Sequence, residues 1–202
     1  EKEYRAAIAT AVRTLNETGG FDGTLYLTEL AVKRRDIAWR VRQATMVSLE
    51  ALYRFDRLKS KKDDVRRPLR KLTFCVERRN ELTPAEEALT QGQAIAAGTG
   101  LMKDLANLPA NHCTPAYLAG QAQAMASEYG LAVEVLERTD MEKLGMMSLL
   151  SVARGSHEPP KFIVLKYAGG KQGDRPVALV GKGITFDTGG ISLKPAAEMD
   201  EM

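Results

Sequence analysis

The sequence predicts an α/β protein built in two parts, and three observations carry that reading. From residue 83 on, segments of helical and strand periodicity run helix, helix, strand, helix, strand, strand, an order that implies helices layered on sheet. Before residue 83, two helical patterns alternate with two short strand-like runs. Near the C-terminal end, the apolar run Val177-Ala178-Leu179-Val180 has the composition of a buried strand and then breaks into glycines. The length of 202 residues suits one large domain or two small ones.

Taken in order, residues 3–17 place Tyr4, Ala7, Ile8, Ala11, Val12 and Leu15 at helical spacing, and Gly19-Gly20 stops the helix. Residues 24–30 alternate and are rich in strand formers. Asp36 can cap a second helix carrying Ile37, Val41, Ala44, Val47, Leu49, Leu52 and Tyr53. Trp39 on that helix is read as a packing anchor. Residues 54–71 form a basic loop with Arg54, Arg57, Lys59, Lys61, Lys62, Arg66, Arg67, Arg70 and Lys71. It is either a solvated connector or a phosphate-contacting patch for nucleic acid; beyond Phe55 it has no aromatic residues on which bases would stack. Leu72–Val76 reads as a strand.

Thr83 as N-cap, Pro84 at the first helical position and Glu86 behind them predict a helix running to about Leu105. Its small residues, Gly92, Ala96, Ala97, Gly98 and Gly100, suit tight packing and a connecting role. Thr114 before Pro115 is a further N-cap, for a helix over 115–129 that Gly130 ends. His112 and Cys113 are adjacent, so they cannot chelate from one helix face and are read as structural; His157 is read as a surface residue. Residues 131–136 predict a strand and residues 140–144 a short helix ended by Gly145. Residues 146–152 lead into the loop Arg154–His157, Phe162–Tyr167 predicts a strand, and residues 169–174 a turn before the apolar run at 177–180.

The net charge of +3 is too small to imply a nucleic-acid partner by itself. No apolar run reaches the roughly eighteen residues that span a membrane, and the charged N-terminus lacks a signal-peptide core. Cys75 and Cys113 have no metal-type spacing and read as reduced thiols of a cytoplasmic protein. The N-terminus enters directly into a helical pattern and the C-terminus lacks a cap, so both ends are expected to be cut from a longer protein.

The most informative stretch runs from Val177 to Lys194. Glycines at 181, 183, 189 and 190 let the backbone turn sharply and pass close to a ligand. Lys182, Asp187 and Lys194 sit among them, and charges beside a buried strand need partners. The residues alone leave two readings open: a solvated surface turn, or a site.

The segment Val180–Pro195, continuing through Met199-Asp200-Glu201-Met202, resembles the leucyl aminopeptidase (cytosol aminopeptidase) family. Asn107-Leu108-Pro109 and Cys113–Ala119 form a second block similar to the same family. Leu27–Leu30, the Trp39 helix and Arg66–Arg70 resemble the N-terminal domain of its bacterial members. The resemblance implies the end of an α/β N-terminal domain over residues 1–79, a connecting helix over 80–108, and the first part of an α/β aminopeptidase catalytic domain over 109–202. It also implies an exopeptidase acting on peptides with two divalent metal ions, Mn2+ or Zn2+, assembled as a homohexamer with interior active sites. On this resemblance Lys182 is a metal ligand, Asp187 bridges the two metals, and Lys194 is a catalytic side chain that polarises the scissile carbonyl. The substrate's free amino terminus would bind one metal, which accounts for exopeptidase action. The remaining carboxylate ligands and an arginine are expected beyond Met202, so the isolated chain is expected to be inactive. Some bacterial members double as DNA-binding accessory proteins, which makes the basic loop 54–71 a candidate DNA surface.

Two other motifs fail on their neighbours. Asp187-Thr188-Gly189 is the triplet of aspartic proteases, but Gly190 follows where Ser or Thr is usual, and no second triplet supplies the dyad. Gly181-Lys182 is followed by Gly183, where a phosphate-binding loop needs Ser or Thr.

Overall fold

Two helices whose apolar residues recur at helical spacing, and a third lined with small residues, set the first part of the chain. A computed structural model describes residues 1–61, 69–171 and 173–201. The chain divides into two units, Glu1–Asn107 and Leu108–Met202. The first holds α1 (Lys2–Glu17), β1 (Asp22–Leu25), α2 (Ile37–Ala51), β2 (Lys71–Phe74) and α3 (Leu82–Asn107). The second holds α4 (Pro115–Tyr129), β3 (Ala132–Leu136), α5 (Arg138–Lys143), α6 (Met147–Val152) and β4 (Phe162–Lys166).

In the first unit β1 and β2 pair in parallel, Asp22 opposite Lys71 and Leu25 opposite Phe74. Parallel strands need a crossover, and α2 lies within it. Its N-terminus is fixed by Asp36, whose Oδ1 accepts the Trp39 N–H at 2.8 Å. On one face Ala44 and Val47 pack with Tyr4, Ile8, Val12 and Leu25. On another Ile37 and Val41 pack with Ala85 and Ala88 of α3. At Gly92 of α3 a Cβ would stand 2.7 Å from the Thr45 Cβ, so only glycine permits this approach. Trp39 packs at the edge of the first cluster, 5.9 Å from the Tyr4 ring and beneath the Arg35 guanidinium, as its reading as an anchor requires.

Three expectations for this unit are corrected. The strand expected over residues 24–30 starts earlier and ends at Leu25, giving way to a 3-10 turn over Leu27–Glu29. The buried Thr28 hydroxyl donates to the Cys75 carbonyl at 2.6 Å, and Arg40 donates to the Glu29 and Leu30 carbonyls. Those long-range bonds turn the backbone out of the strand. The strand expected over 72–76 is shifted to Lys71–Phe74. Helix α3 begins at Leu82, because a 3-10 turn over Arg79–Glu81 runs directly into it. Thr83 is therefore inside the helix, and the side-chain contact at this end is Glu81 Oε2 accepting from the Arg78 N–H at 3.2 Å.

In the second unit the local signals hold closely. Thr114 Oγ1 accepts the Tyr117 N–H at 3.2 Å, and Gly130 ends α4 with a φ of +66°. β3 and β4 pair antiparallel, Ala132 opposite Lys166 and Leu136 opposite Phe162, with Lys166–Glu134 and Lys161–Glu137 ion pairs along the ladder. Met141 of α5 is fully buried. The short helix starts at Arg138, not at residue 140, because the Glu137 N–H donates to Asp140 Oδ2. Residues 147–152, expected only as a lead into a loop, form α6.

The apolar run at 177–180 is the main departure. Its backbone is in no strand, and Val177, Leu179 and Val180 are 87%, 94% and 95% exposed. A buried strand needs a ladder beside it and cover on both faces, and among the described residues this unit supplies only the β3–β4 ladder. No helix among them is long and apolar enough to cross a membrane.

Tyr4 offers a test of the α1–α2 packing. It is buried, its hydroxyl donates to the Arg40 carbonyl at 3.0 Å, and burial pushes its pKa up to about 12. A phenol with a raised folded pKa stabilises fully below the unfolded value near 10, and that contribution is lost as pH rises through the folded value. Tyr4→Phe is expected to flatten the fall in chemical-denaturation stability between about pH 10 and pH 12. An unchanged slope would show that Tyr4 ionises as freely folded as unfolded.

Candidate functional site

Asp187, Lys194 and Lys182 lie on one segment, shaped by backbone hydrogen bonds. The Lys194 N–H donates to the Thr188 carbonyl at 3.0 Å, and the Gly190 N–H donates to the Ser192 carbonyl at 3.2 Å. These close a tight turn across Gly189 and Leu193. Gly189 has a φ of +90°, and a Cβ there would stand 2.3 Å from the Ser192 carbonyl oxygen. Glycine is therefore required at this point of the loop.

The turn carries Lys194 back beside Asp187. Asp187 Oδ2 accepts the Lys194 ammonium at 3.0 Å, and Oδ1 accepts the Gly189 N–H at 2.9 Å. The Gly189 N–H, then the Lys194 hydrogen bond and charge, and more weakly the charge of Lys182, hold the Asp187 carboxyl below the usual range. The carboxylate is thus ionised at neutral pH and ready to meet a cation. Lys182 is exposed and, among the described residues, makes no hydrogen bond or ion pair.

The sequence grouped these three residues but did not foresee the direct contact of Asp187 with Lys194. Its signal is opposite charges seven positions apart across Gly189-Gly190, which folds the chain back on itself. No cluster of three or more His, Cys, Asp or Glu side chains able to hold a metal occurs among the described residues. His112 and His157 are exposed, and Cys113 is buried, with burial pushing its thiol pKa up. In the basic loop Arg54, Arg57, Lys59, Lys61, Arg70 and Lys71 are exposed. Lys62, Arg66 and Arg67 lie outside the described residues.

The family model for the catalytic domain of the cytosol aminopeptidase family matches residues 100–202, and the model for its N-terminal domain matches residues 1–62. The chain belongs to the cytosol aminopeptidase family. A probable cytosol aminopeptidase of Dechloromonas aromatica (strain RCB) is 66% identical over 202 residues, covering 100% of this chain and 41% of that protein. Another, of Thioalkalivibrio sulfidiphilus (strain HL-EbGR7), is 55% identical over 203 residues with the same coverages. The chain thus spans about 41% of the length of these curated relatives. Among solved structures, the bottromycin maturation enzyme BotP in complex with Mn matches with a TM-score of 0.80 at 35% identity, over 96% of this chain and 39% of that one. A tomato leucine aminopeptidase mutant matches with a TM-score of 0.77 over 93% of this chain and 37% of that one; at 24% identity the likeness is one of fold. Together these place α/β structure of the family's N-terminal domain, followed by the start of its catalytic domain, in this chain.

In this family member the turn at Gly189 is what delivers Lys194 to Asp187. Gly189→Ala forces a left-handed alanine and a backbone clash, strain worth about 1–3 kcal/mol. Amide exchange at Gly190 and Lys194 is expected to speed up about ten- to a hundredfold, with α1 to α3 unaffected. Unchanged protection would show that the turn does not depend on glycine.

Proposed function

We propose that the protein carrying this chain is a two-metal-dependent aminopeptidase that releases N-terminal residues such as leucine from peptides. The observation that carries the reading is an ionised Asp187 flanked by Lys182 and Lys194 on one glycine-shaped loop. The family membership supports the reaction class, and the manganese named with BotP supports a divalent ion, with Zn2+ the alternative. The resemblance further supports a homohexamer in the cytoplasm.

The donors fit a divalent ion in kind. Asp187 offers an anionic oxygen, which suits Mn2+ and Zn2+, and Lys182 offers a nitrogen not engaged by other described residues. They are short in number among the described residues, so further ligands are part of the proposal. Lys182 and Asp187 would hold the metals, and when bound the metals supply an activated water and a polarised carbonyl.

The chain's own residues set the charge states. An amine ligates only when neutral, so ligation would need Lys182 to give up a proton, a cost that the ion it would hold has to offset. The Lys194 ammonium, which hydrogen-bonds Asp187, is suited to hydrogen-bond the oxygen on which charge develops. The glycines keep the loop slim enough for a peptide end to approach.

The test is leucine p-nitroanilide turnover by a protein of the relatives' full length carrying this sequence. Activity is expected with added Mn2+ and is expected to be lost on chelation. Asp187→Asn is expected to lower turnover about a hundredfold or more, and Lys194→Met about a hundred- to a thousandfold in kcat. The isolated 202-residue chain is expected to turn over nothing. Chelator-resistant activity, or full activity in Asp187→Asn, would overturn the reading.

A further inference from the structure

Asp187 and Lys194 have separate roles in the proposed reaction, yet they bond to each other here. The ammonium lies 3.0 Å from Oδ2, and the Gly189 N–H takes Oδ1. A dication taking Oδ2 would have to take the place of that ammonium on the same oxygen, and at such range the two cations repel. The two cations therefore compete for Oδ2 of Asp187.

The surroundings make the exchange reversible. Side-chain exposures of 33% for Lys194 and 50% for Asp187 leave the pair open to solvent, where ion pairs are weak. The Lys194 backbone stays anchored to Thr188, and its four-carbon stem lets the ammonium swing while the main chain holds. A divalent ion carries twice the charge and can win the carboxylate. When it leaves, the ammonium is positioned to return.

We propose that Lys194 is an internal placeholder cation: its ammonium occupies Asp187 until a divalent metal displaces it, and the displacement lets the same ammonium turn toward the substrate. Metal loading and the arming of Lys194 are then one event. This rests on the reading of Asp187 as a metal ligand.

The test uses the full-length protein, with Mn2+ binding followed by the electron paramagnetic resonance of the free ion. Lys194→Gln is expected to bind Mn2+ about three- to tenfold tighter than wild type, because the competitor is gone. Lys194→Arg keeps the competitor and is expected to bind no tighter. With diamagnetic Zn2+, the 15N signal of the Lys194 ammonium is expected to shift in step with metal occupancy. Asp187→Asn is the control for the underlying reading, and is expected to abolish binding. Lys194→Gln binding no tighter while Asp187→Asn still abolishes binding would overturn the placeholder alone. A Lys194 signal that stays put during Zn2+ loading would overturn it too, leaving only long-range repulsion. Wild-type binding absent at millimolar metal, or undiminished in Asp187→Asn, would remove the metal reading and the placeholder with it.

Discussion

Burial of α2 on two faces is the interaction on which the first unit depends. A two-stranded parallel pair is marginal in water without a covering element, and β1 and β2 form such a pair. Helix α2 joins a cluster with α1 and β1 through Ala44 and Val47, and another with α3 through Ile37 and Val41. Small residues make both contacts close. Ala44 is fully buried, and Gly92 lets α3 come against Thr45. At the far end of these helices, the Tyr53 hydroxyl donates to Asp104 at 2.9 Å and accepts from Asn107 at 3.2 Å. The long helix α3 is thus tied to the α2 end along most of its length.

Local chemistry was the readable part of the sequence. Asp36, Thr114 and Gly130 act within three or four residues of themselves, so the helix ends they set could be read from neighbouring letters. Two of the failures have the opposite property. The run at 24–30 is bent by Thr28 reaching Cys75 and by Arg40 reaching back to Glu29, partners that alternation cannot reveal. The run at 177–180 has a strand's composition, but composition does not provide a neighbouring strand. At the site, the glycines and the three charges were legible. The ion pair was not, because it depends on the turn at Gly189 and on which carboxylate oxygen that turn leaves open.

On the metal-site reading proposed above, the loop's charge balance states what the site would still require. Two lysines stand against one carboxylate, and that surplus of positive charge weakens the loop's hold on a divalent ion. Depressing the Asp187 pKa makes its charge permanent at neutral pH but adds no second anion. Deprotonating Lys182 removes one positive charge and lends a nitrogen ligand; moving Lys194 off Asp187 removes the nearest one. Neither change would neutralise the two dications of the proposed site. Further anionic ligands are needed, and no three-residue acidic cluster occurs among the described residues. Under that proposal the electrostatics and the coverage of the relatives agree: anionic ligands from the rest of a longer protein would complete the site.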